Sequence, residues 1–287
     1  MPAGRSEVAV SQSRSTSQWV WLVLLGLVAG FLSGMFGVGG GILIVPALIL
    51  LIKMDPKIAT GTSLLAILPV AVVGVVTYSI GGHIDVWIAL LMAIGSIGGS
   101  QIGTRLLRRI SRTALQWAFI GFIVVVIVSL FLVISSRDAV VDIHLWSGAA
   151  LVVLGFVTGI LSGLLGIGGG VIIVPMLVLL FGASDLVAKG SSLLMMIVTS
   201  MSGTISNARN RNVDFPAAIV IGIGACLTTA FGAIVAAAIP PFEANVAFAV
   251  FLVLIAARMI ATMVSERRKR GLDGDAGAAP AGDTPAR

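Results

Sequence analysis

Long runs of uncharged, apolar residues constrain this chain most. Residues 58–80 and 114–134 contain no Asp, Glu, Lys or Arg. As an α-helix, a run of ~20 residues spans the ~30 Å of a bilayer's hydrocarbon core. Only 10% of the 287 residues are charged and 58% are hydrophobic, whereas a soluble domain carries about 25% charged residues. The sequence therefore predicts an all-α, polytopic integral membrane protein.

The chain contains one glycine-rich stretch twice. SGMFGVGGGILIVPAL at 33–48 and SGLLGIGGGVIIVPML at 162–177 share 10 of 16 residues at an offset of 129. The same offset aligns Ala59 with Ala188 and continues without a gap. This pattern predicts an internal duplication. The predicted organisation is a disordered N-terminal tail (1–18), a first transmembrane repeat (19–134), a second transmembrane repeat (145–264) and a basic, disordered C-terminal tail (265–287).

Each repeat is predicted to hold one glycine-broken segment followed by three spans. The predicted segments are 19–52, 58–80, 86–104 and 114–134 in the first repeat, and 145–181, 187–206, 215–239 and 244–264 in the second. Arginines fill the loop 105–112 of the first repeat, whereas the equivalent loop of the second has no basic residue. Arg209 and Arg211 reverse this difference at the other loop. Since basic loops stay on the cytoplasmic side, the two repeats are predicted to be inverted.

The inversion also constrains the glycine-broken segments. With the basic loops and both termini on the cytoplasmic side, the segments 19–52 and 145–181 must each leave and re-enter the same face. Neither is long enough for two spans, which need ~40 residues. We therefore expect a re-entrant hairpin, or a pair of short helices, broken at the glycines.

The apolar helix after each glycine cluster begins at the break. Its free N–H groups, and a dipole equivalent to roughly half a positive charge, favour an anion there. A broken helix is tolerated in a bilayer only where protein or a water-filled cavity covers its backbone. Pro46 and Pro175, about one turn further on, interrupt the helices again. We expect the two inverted breaks to approach each other and to form an anion site built from backbone.

The glycines also allow a purely structural interpretation. Small residues spaced four apart let two helices cross closely, which is the better explanation for Gly26, Gly30, Gly34, Gly155, Gly159 and Gly163. For the two GxGGG clusters, packing and a ligand-facing break both stay open. A dinucleotide-binding loop is excluded because no βαβ unit surrounds them.

Few polar side chains accompany the breaks. Hydroxyl residues follow at equivalent places in the next span of each repeat, where they either bind an oxyanion or bond back to a helix carbonyl. Lys189 replaces Thr60 of the first repeat and follows Asp185 by four residues. It forms either a surface ion pair or a cation that faces an anionic substrate. The candidate substrate-binding residues are Gly37, Gly39, Gly40, Gly41, Gly166, Gly168, Gly169, Gly170, Ser33, Ser162, Thr62, Ser63, Ser191, Ser192 and Lys189.

The remaining acidic and nucleophilic residues suggest no catalytic chemistry. Asp85 and Asp214 open equivalent helices and are expected as N-caps. No Asp or Glu falls at the centre of a predicted span, so a carboxylate proton relay is unsupported. The sequence has no Walker motif, nucleophile elbow or HExxH. We expect no enzyme activity, no cofactor, no metal and no nucleic-acid partner, and leave the oligomeric state open.

The doubled SGxxGxGGGxxxVPxL, each copy followed about fifteen residues later by A-x-G-[ST]-S-L-L, resembles the TauE/SafE-type sulfite exporter family of membrane permeases. The resemblance covers residues 19–264, and both copies are well formed. It implies a plasma-membrane permease, an exporter of sulfur-containing anions such as sulfite, sulfoacetate and related organosulfonates. It fixes neither the substrate, nor the direction, nor the coupling ion.

Three functions therefore stand at this point. The first is a secondary transporter of small anions, with the two breaks as its binding site. The second is a passive anion channel, which the lack of an obvious coupling carboxylate favours. The third is a membrane scaffold in which the glycines serve folding alone.

Overall fold

The computed structural model describes residues 15–132 and 145–262, apart from residues 241, 244, 245, 248 and 251. All regular structure within these ranges is helical. The helices are α1 Thr16–Phe36, α2 Gly41–Leu51, α3 Pro56–Ile80, α4 Val86–Arg109, α5 Arg112–Leu132, α6 Leu145–Leu165, α7 Gly170–Phe181, α8 Asp185–Arg209, α9 Phe215–Ala238 and α10 Leu252–Thr262. Six of them, α1, α3, α4, α6, α8 and α9, are long and apolar enough to cross a membrane. The all-α, polytopic prediction is confirmed.

Helix ends follow local sequence signals. Asp85 accepts hydrogen bonds from the N–H groups of Trp87 and Ile88 at 2.9 and 3.0 Å, and Asp214 accepts one from Ala217 at 3.2 Å. Both aspartates are N-caps, as predicted. α1 begins at Thr16, inside the predicted tail 1–18, because Ser15 and Gln18 form a reciprocal capping box. Residues 1–14, the predicted C-terminal tail (265–287) and part of the predicted span 244–264 lie outside the described residues.

The equivalent helices α3 and α8 run in opposite directions. Leu64 packs on Gly203 and Gly74 packs on Leu193, so residues later in α3 meet residues earlier in α8. Position 64 is equivalent to 193, and 74 to 203, so exchanging the two repeats turns one contact into the other. Reciprocal contacts of this kind define a twofold axis. The two repeats are therefore inverted, as the charge pattern predicted.

The two repeats interlock through glycine-lined helix crossings. α1 of the first repeat packs along α9 of the second, and α4 packs along α6 in the equivalent way. Backbone carbonyls of the partner helix lie directly against the glycines, which leaves no room for a side chain. The packing interpretation is confirmed for Gly26, Gly30, Gly34, Gly155, Gly159 and Gly163.

Each glycine-broken segment is a hairpin that returns to the side from which it started. α1 runs parallel to α9, because Gly26 lies against Ala225 and Gly34 against Ala233. α9 in turn runs parallel to α3, to which it is joined by a hydrogen bond from Asp214 N to Thr62. Since α1 and α3 have the same direction, the half-length α2 between them must run back.

Basic side chains gather at one end of the bundle. The Lys57 ammonium donates to the carbonyl of Arg108 at 3.1 Å, which joins the start of α3 to the end of α4. α8 runs parallel to α4 and ends at Arg209. We call this the basic end; it is formed by Lys53, Lys57, Arg105, Arg108, Arg109, Arg209 and Arg211. The opposite end holds the start of α4 at Asp85.

We expect neighbouring glycines of α4 to respond differently to alanine. Gly99 lies against the carbonyl of Phe156 with no space for a Cβ, whereas a Cβ on Gly98 would stand 3.7 Å from the Phe156 ring. Alanine is favoured over glycine in a helix by about 1 kcal/mol. Gly98→Ala should therefore leave the melting temperature in detergent unchanged or raise it. Gly99→Ala should lower it, since forcing atoms into a packed contact costs about 1–3 kcal/mol. Equal melting temperatures for the two variants would contradict the close crossing of α4 and α6 at Gly99.

Candidate functional site

Both glycine clusters adopt backbone conformations that only glycine takes readily. At the end of α1, the N–H of Gly37 donates to Ser33 O at 2.8 Å. The φ angle is +68° at Gly37 and +73° at both Gly39 and Gly40. The second cluster repeats this geometry, with φ of +73°, +82° and +94° at Gly166, Gly168 and Gly169. A side chain at φ > 0 would meet the neighbouring carbonyl. Three left-handed residues in four therefore explain the GxGG pattern in each copy.

The two breaks face each other across the twofold axis. Gly41, the first residue of α2, lies against the carbonyl of Gly166 and the Cα of Ile167. Reciprocally, Gly170 at the start of α7 lies against the carbonyl of Gly37 and the Cα of Val38. The helix N-termini of the two repeats therefore meet in one place, as the inversion predicted.

Neither of these N-termini has a side-chain cap. Gly40 and Gly169 are the N-cap residues of α2 and α7, and because glycine has no side chain only their carbonyls accept hydrogen bonds from the first turn. The first N–H groups of a helix have no partner inside the helix, and together with its dipole they attract negative charge. Two such ends lie side by side at the breaks, where the carbonyls of Gly37 and Gly166 also face them.

Two apolar side chains fill the space between the breaks. The terminal methyl of Met196 lies against both Gly39 and Gly168, and Ile67 touches the same two glycines. The two residues occupy equivalent positions of α3 and α8, separated by 129. Sequence reasoning missed them because an apolar residue in an apolar span carries no chemical signal. The only sequence signal was that the two residues occupy equivalent positions of the repeats, at the offset of 129.

Serines from one repeat bind the break of the other. The Ser63 hydroxyl donates to Gly166 O at 2.7 Å, and the Ser192 hydroxyl donates to Gly37 O at 2.7 Å. Ser192 also lies 2.8 Å from the carbonyl of Lys189. These bonds satisfy carbonyls that the helix breaks leave open, and an unpaired carbonyl buried in a membrane costs several kcal/mol. The structure thus places both serines at the breaks, in contact with backbone oxygen.

Thr62 and Ser191, which precede Ser63 and Ser192 in the sequence, bind helix-entry loops instead of the breaks. Thr62 accepts a hydrogen bond from the N–H of Asp214, and Ser191 accepts one from the N–H of Asp85, both at 2.9 Å. They therefore hold the loops that enter α9 and α4. Among the predicted binding residues, these two contact the helix-entry loops, whereas Ser63 and Ser192 contact the breaks themselves.

Ser33 and Ser162 lie in the last turn before each break. Both side chains are fully buried, and neither hydroxyl has a hydrogen-bond partner among the described residues. A buried polar group without a partner costs about 1–3 kcal/mol. An unpartnered hydroxyl one turn before a break is a donor that an oxyanion would accept.

Lys189 forms an ion pair that is buried rather than superficial. Its ammonium lies 2.8 Å from Asp185 Oδ2, and the two side chains are only 5% and 6% exposed. The Lys189 stem packs against Gly37, whereas its equivalent Thr60 packs against Gly166 and donates to Pro56 O. The predicted i,i+4 pair is confirmed, but its expected position at the surface is wrong, because the first break covers it.

The prolines stand inside the helices that follow the breaks. Pro46 lies within α2 and Pro175 within α7, each in the second turn and buried. Each removes one backbone N–H from its helix, so the short helices have fewer internal bonds than their length allows. Both helices nevertheless continue past their proline, so the helix breaks predicted at Pro46 and Pro175 are not observed.

The sequence matches the model of one protein family along both repeats. The family is described as sulfite exporter TauE/SafE, and the match covers residues 3–130 and 151–284. The chain belongs to this family. The resemblance carried by the doubled glycine motif is therefore confirmed.

Curated bacterial proteins resemble this chain over most of its length. A probable membrane transporter protein of Bacillus subtilis, YunE, is 32% identical over 238 residues, which cover 75% of this chain and 87% of the relative. A probable membrane transporter protein of Haemophilus influenzae is 30% identical and covers 83% of this chain and 96% of its own length. No solved structure matches the chain. This member of the TauE/SafE family is therefore a multi-pass membrane transporter.

We expect removal of one partner of the buried ion pair to destabilise the protein strongly. Lys189→Thr installs the residue of the first repeat and leaves Asp185 as an unpaired buried charge, which typically costs about 3–5 kcal/mol. Asp185→Asn combined with Lys189→Thr removes both charges and should restore most of the melting temperature in detergent. A double variant as unstable as the single one would contradict the pairing.

Proposed function

We propose that this protein is a secondary transporter of small anions that binds its substrate between the two glycine breaks. The observation that carries the proposal is the meeting of two uncapped helix N-termini, at Gly41 and Gly170, on the twofold axis. Two N-termini offer several N–H donors and two dipole ends to one oxyanion. The binding residues in this proposal are the two glycine clusters with Ser33, Ser162, Ser63 and Ser192 beside them.

The substrate class in this proposal is sulfite or an organosulfonate, carried outward. Support comes from the name of the family, since the relatives are named only as probable membrane transporters. A tetrahedral or pyramidal oxyanion presents several acceptor oxygens, which suits a site made of donors. The proposal assigns no catalytic step, because the site as built holds and releases an ion.

The proposed location is the bacterial inner membrane, with both termini in the cytoplasm. The basic end gathers Lys57, Arg108 and Arg209 from three helices of both repeats. Basic loops stay on the cytoplasmic side of a bacterial membrane. This orientation places the start of α3 inside and Asp85 outside.

We expect the purified protein in liposomes to carry radiolabelled sulfite or sulfoacetate faster than protein-free liposomes. Unlabelled anion on the opposite side should accelerate exchange, because a carrier returns more readily when loaded. Steady single-channel currents in a planar bilayer would instead indicate a passive anion channel. Absence of any protein-dependent flux over a panel of sulfite, sulfoacetate, isethionate and taurine would refute the substrate class.

We expect Gly169→Ala to reduce transport much more than the matched variant Gly182→Ala. Both glycines have left-handed φ, +94° and +63°, and neither has an atom within 3.4 Å of the new Cβ. Both variants therefore carry a similar backbone cost of about 1–2 kcal/mol. Only Gly169 caps α7 at the break, so its variant should lose tenfold or more of the flux while remaining folded by size-exclusion chromatography.

The comparison with Gly182→Ala removes the general cost of left-handed alanine from the result. Equal transport by the two variants would contradict a binding role for the break. It would favour the alternative that the glycine clusters serve folding alone.

A further inference from the structure

One half of α8 is far more polar than its equivalent in the other repeat. Residues 199–207 read TSMSGTISN, whereas the equivalent residues 70–78 of α3 read VAVVGVVTY. The two segments occupy equivalent places in the fold and run from the twofold axis toward opposite ends of the bundle. The backbone arrangement therefore does not require the polar residues, because α3 builds the same element with valine.

α4 presents a matching polar face to this part of α8. Four contacts join the two helices: Thr199 to Ser96 and Ser100 to Ser202, both at 2.8 Å, Gln101 to Ser202 at 3.0 Å, and Thr104 to Ser206 at 2.7 Å. We call these seven residues the polar seam. The equivalents of Ser96, Gln101 and Thr104 on α9 are Ala225, Ala230 and Ala233. In that half, Thr229 bonds to a carbonyl of its own helix.

The same half of α8 carries polar atoms without partners. Ser200 Oγ, Thr204 Oγ1 and Asn207 Oδ1 are buried and have no hydrogen-bond partner among the described residues. Their side chains are at most 9% exposed. Each such group costs about 1–3 kcal/mol when it is kept from water. The equivalents in α3 are Ala71, Val75 and Tyr78, and Tyr78 donates to Gly34 O at 2.7 Å.

The polar seam joins the glycine breaks to the basic end. Thr199 lies one turn after Met196, whose methyl group lies between the breaks. Thr104 directly precedes Arg105, and Ser206 lies one turn before the end of α8 at Arg209. Because α4 and α8 run parallel here, their polar faces stay together over the whole distance. The equivalent path from the breaks to the opposite end, between α3 and α9, is mostly valine and alanine.

Hydroxyl pairs between membrane helices often serve only to hold them together. That role accounts for the bonded pairs of the seam, but it does not account for the three unpartnered groups. Groups that stay unsatisfied in a closed arrangement gain partners when water enters. Separation of the helices therefore relieves the free-energy cost of these unpaired groups.

We propose that the polar half of α8 and the facing residues of α4 form the wall of a hydrated half-pathway, through which small anions pass between the basic end and the glycine breaks. This inference rests on the proposed function and adds a route to it. In the arrangement described, hydroxyls bind one another and close the route. Opening replaces these bonds by bonds to water or to the anion, and neutral donors release an anion more readily than ammonium groups would.

The pathway is tested by thiol accessibility in the full chain. The background is Cys226→Ala, which removes the chain's one cysteine. Single cysteines then replace Ser202 and Thr204 in the polar half of α8, and their equivalents Val73 and Val75 in α3 as matched controls. The probe is 2-sulfonatoethyl methanethiosulfonate, a membrane-impermeant sulfonate, applied separately to each side of sealed vesicles. Intact-protein mass spectrometry measures the rate of modification.

We expect Ser202→Cys and Thr204→Cys to react from the side on which Arg209→Cys reacts. Their rates should be at least tenfold higher than those of Val73→Cys and Val75→Cys from either side. Similar rates for all four would overturn the asymmetry. No reaction at Ser202→Cys and Thr204→Cys, while Arg209→Cys reacts, would overturn the pathway.

Two further measurements, the elution profile and the anion flux, distinguish a misfolded variant and a wrong substrate class from a wrong pathway. Variants are compared only when they elute as a single species, and the pair Ser200→Cys and Ala71→Cys replaces any pair that does not. Reaction in the seam without flux of sulfite or sulfonates would refute the substrate class and support the pathway. Flux without reaction in the seam would overturn the pathway and leave the transporter intact.

Discussion

The structure depends on one constraint, which is that backbone groups freed by a helix break need partners inside the membrane. Each break leaves carbonyls open, and a hydroxyl from the opposite repeat binds one of them, Ser63 at Gly166 and Ser192 at Gly37. Neither repeat can complete its own break. The glycine-lined crossings of α1 with α9 and α4 with α6 also join helices of different repeats. The duplication therefore folds as one interlocked unit.

The two repeats share a scaffold but differ in chemistry. The glycines, the bridging serines and the aspartate caps recur at the offset of 129, because the twofold arrangement uses each of them twice. The buried pair of Asp185 and Lys189 and the polar half of α8 occur once, in the second repeat. Inverted repeats place equivalent elements toward opposite sides of the membrane. A difference between the repeats is therefore a difference between the two sides, which directional transport needs.

Much of this arrangement was readable in the sequence. The repeat offset, the inversion, the returning hairpins, the N-caps Asp85 and Asp214 and the packing glycines all rest on local or one-dimensional signals. The burial of the Asp185–Lys189 pair could not be read, because an i,i+4 spacing is the same at a surface and in a core. The separation of Thr62 from Ser63 was also hidden. Adjacent hydroxyls look alike in a sequence, yet they project 100° apart on a helix, one toward a loop and one toward a break.

By itself, the sequence determined that the chain spans a membrane, that it is two inverted copies, and that each copy breaks a helix at its glycines. Hydropathy, charge and backbone freedom are properties of short segments, so they need no folded neighbour to be recognised. Only the tertiary structure decided that the breaks meet, that Met196 and Ile67 lie between them, and that serines of one repeat satisfy the other. The contacts between the repeats join residues about a hundred or more positions apart. Their partners are chosen by how the helices cross, and an apolar side chain on the axis differs in no local way from one that faces lipid.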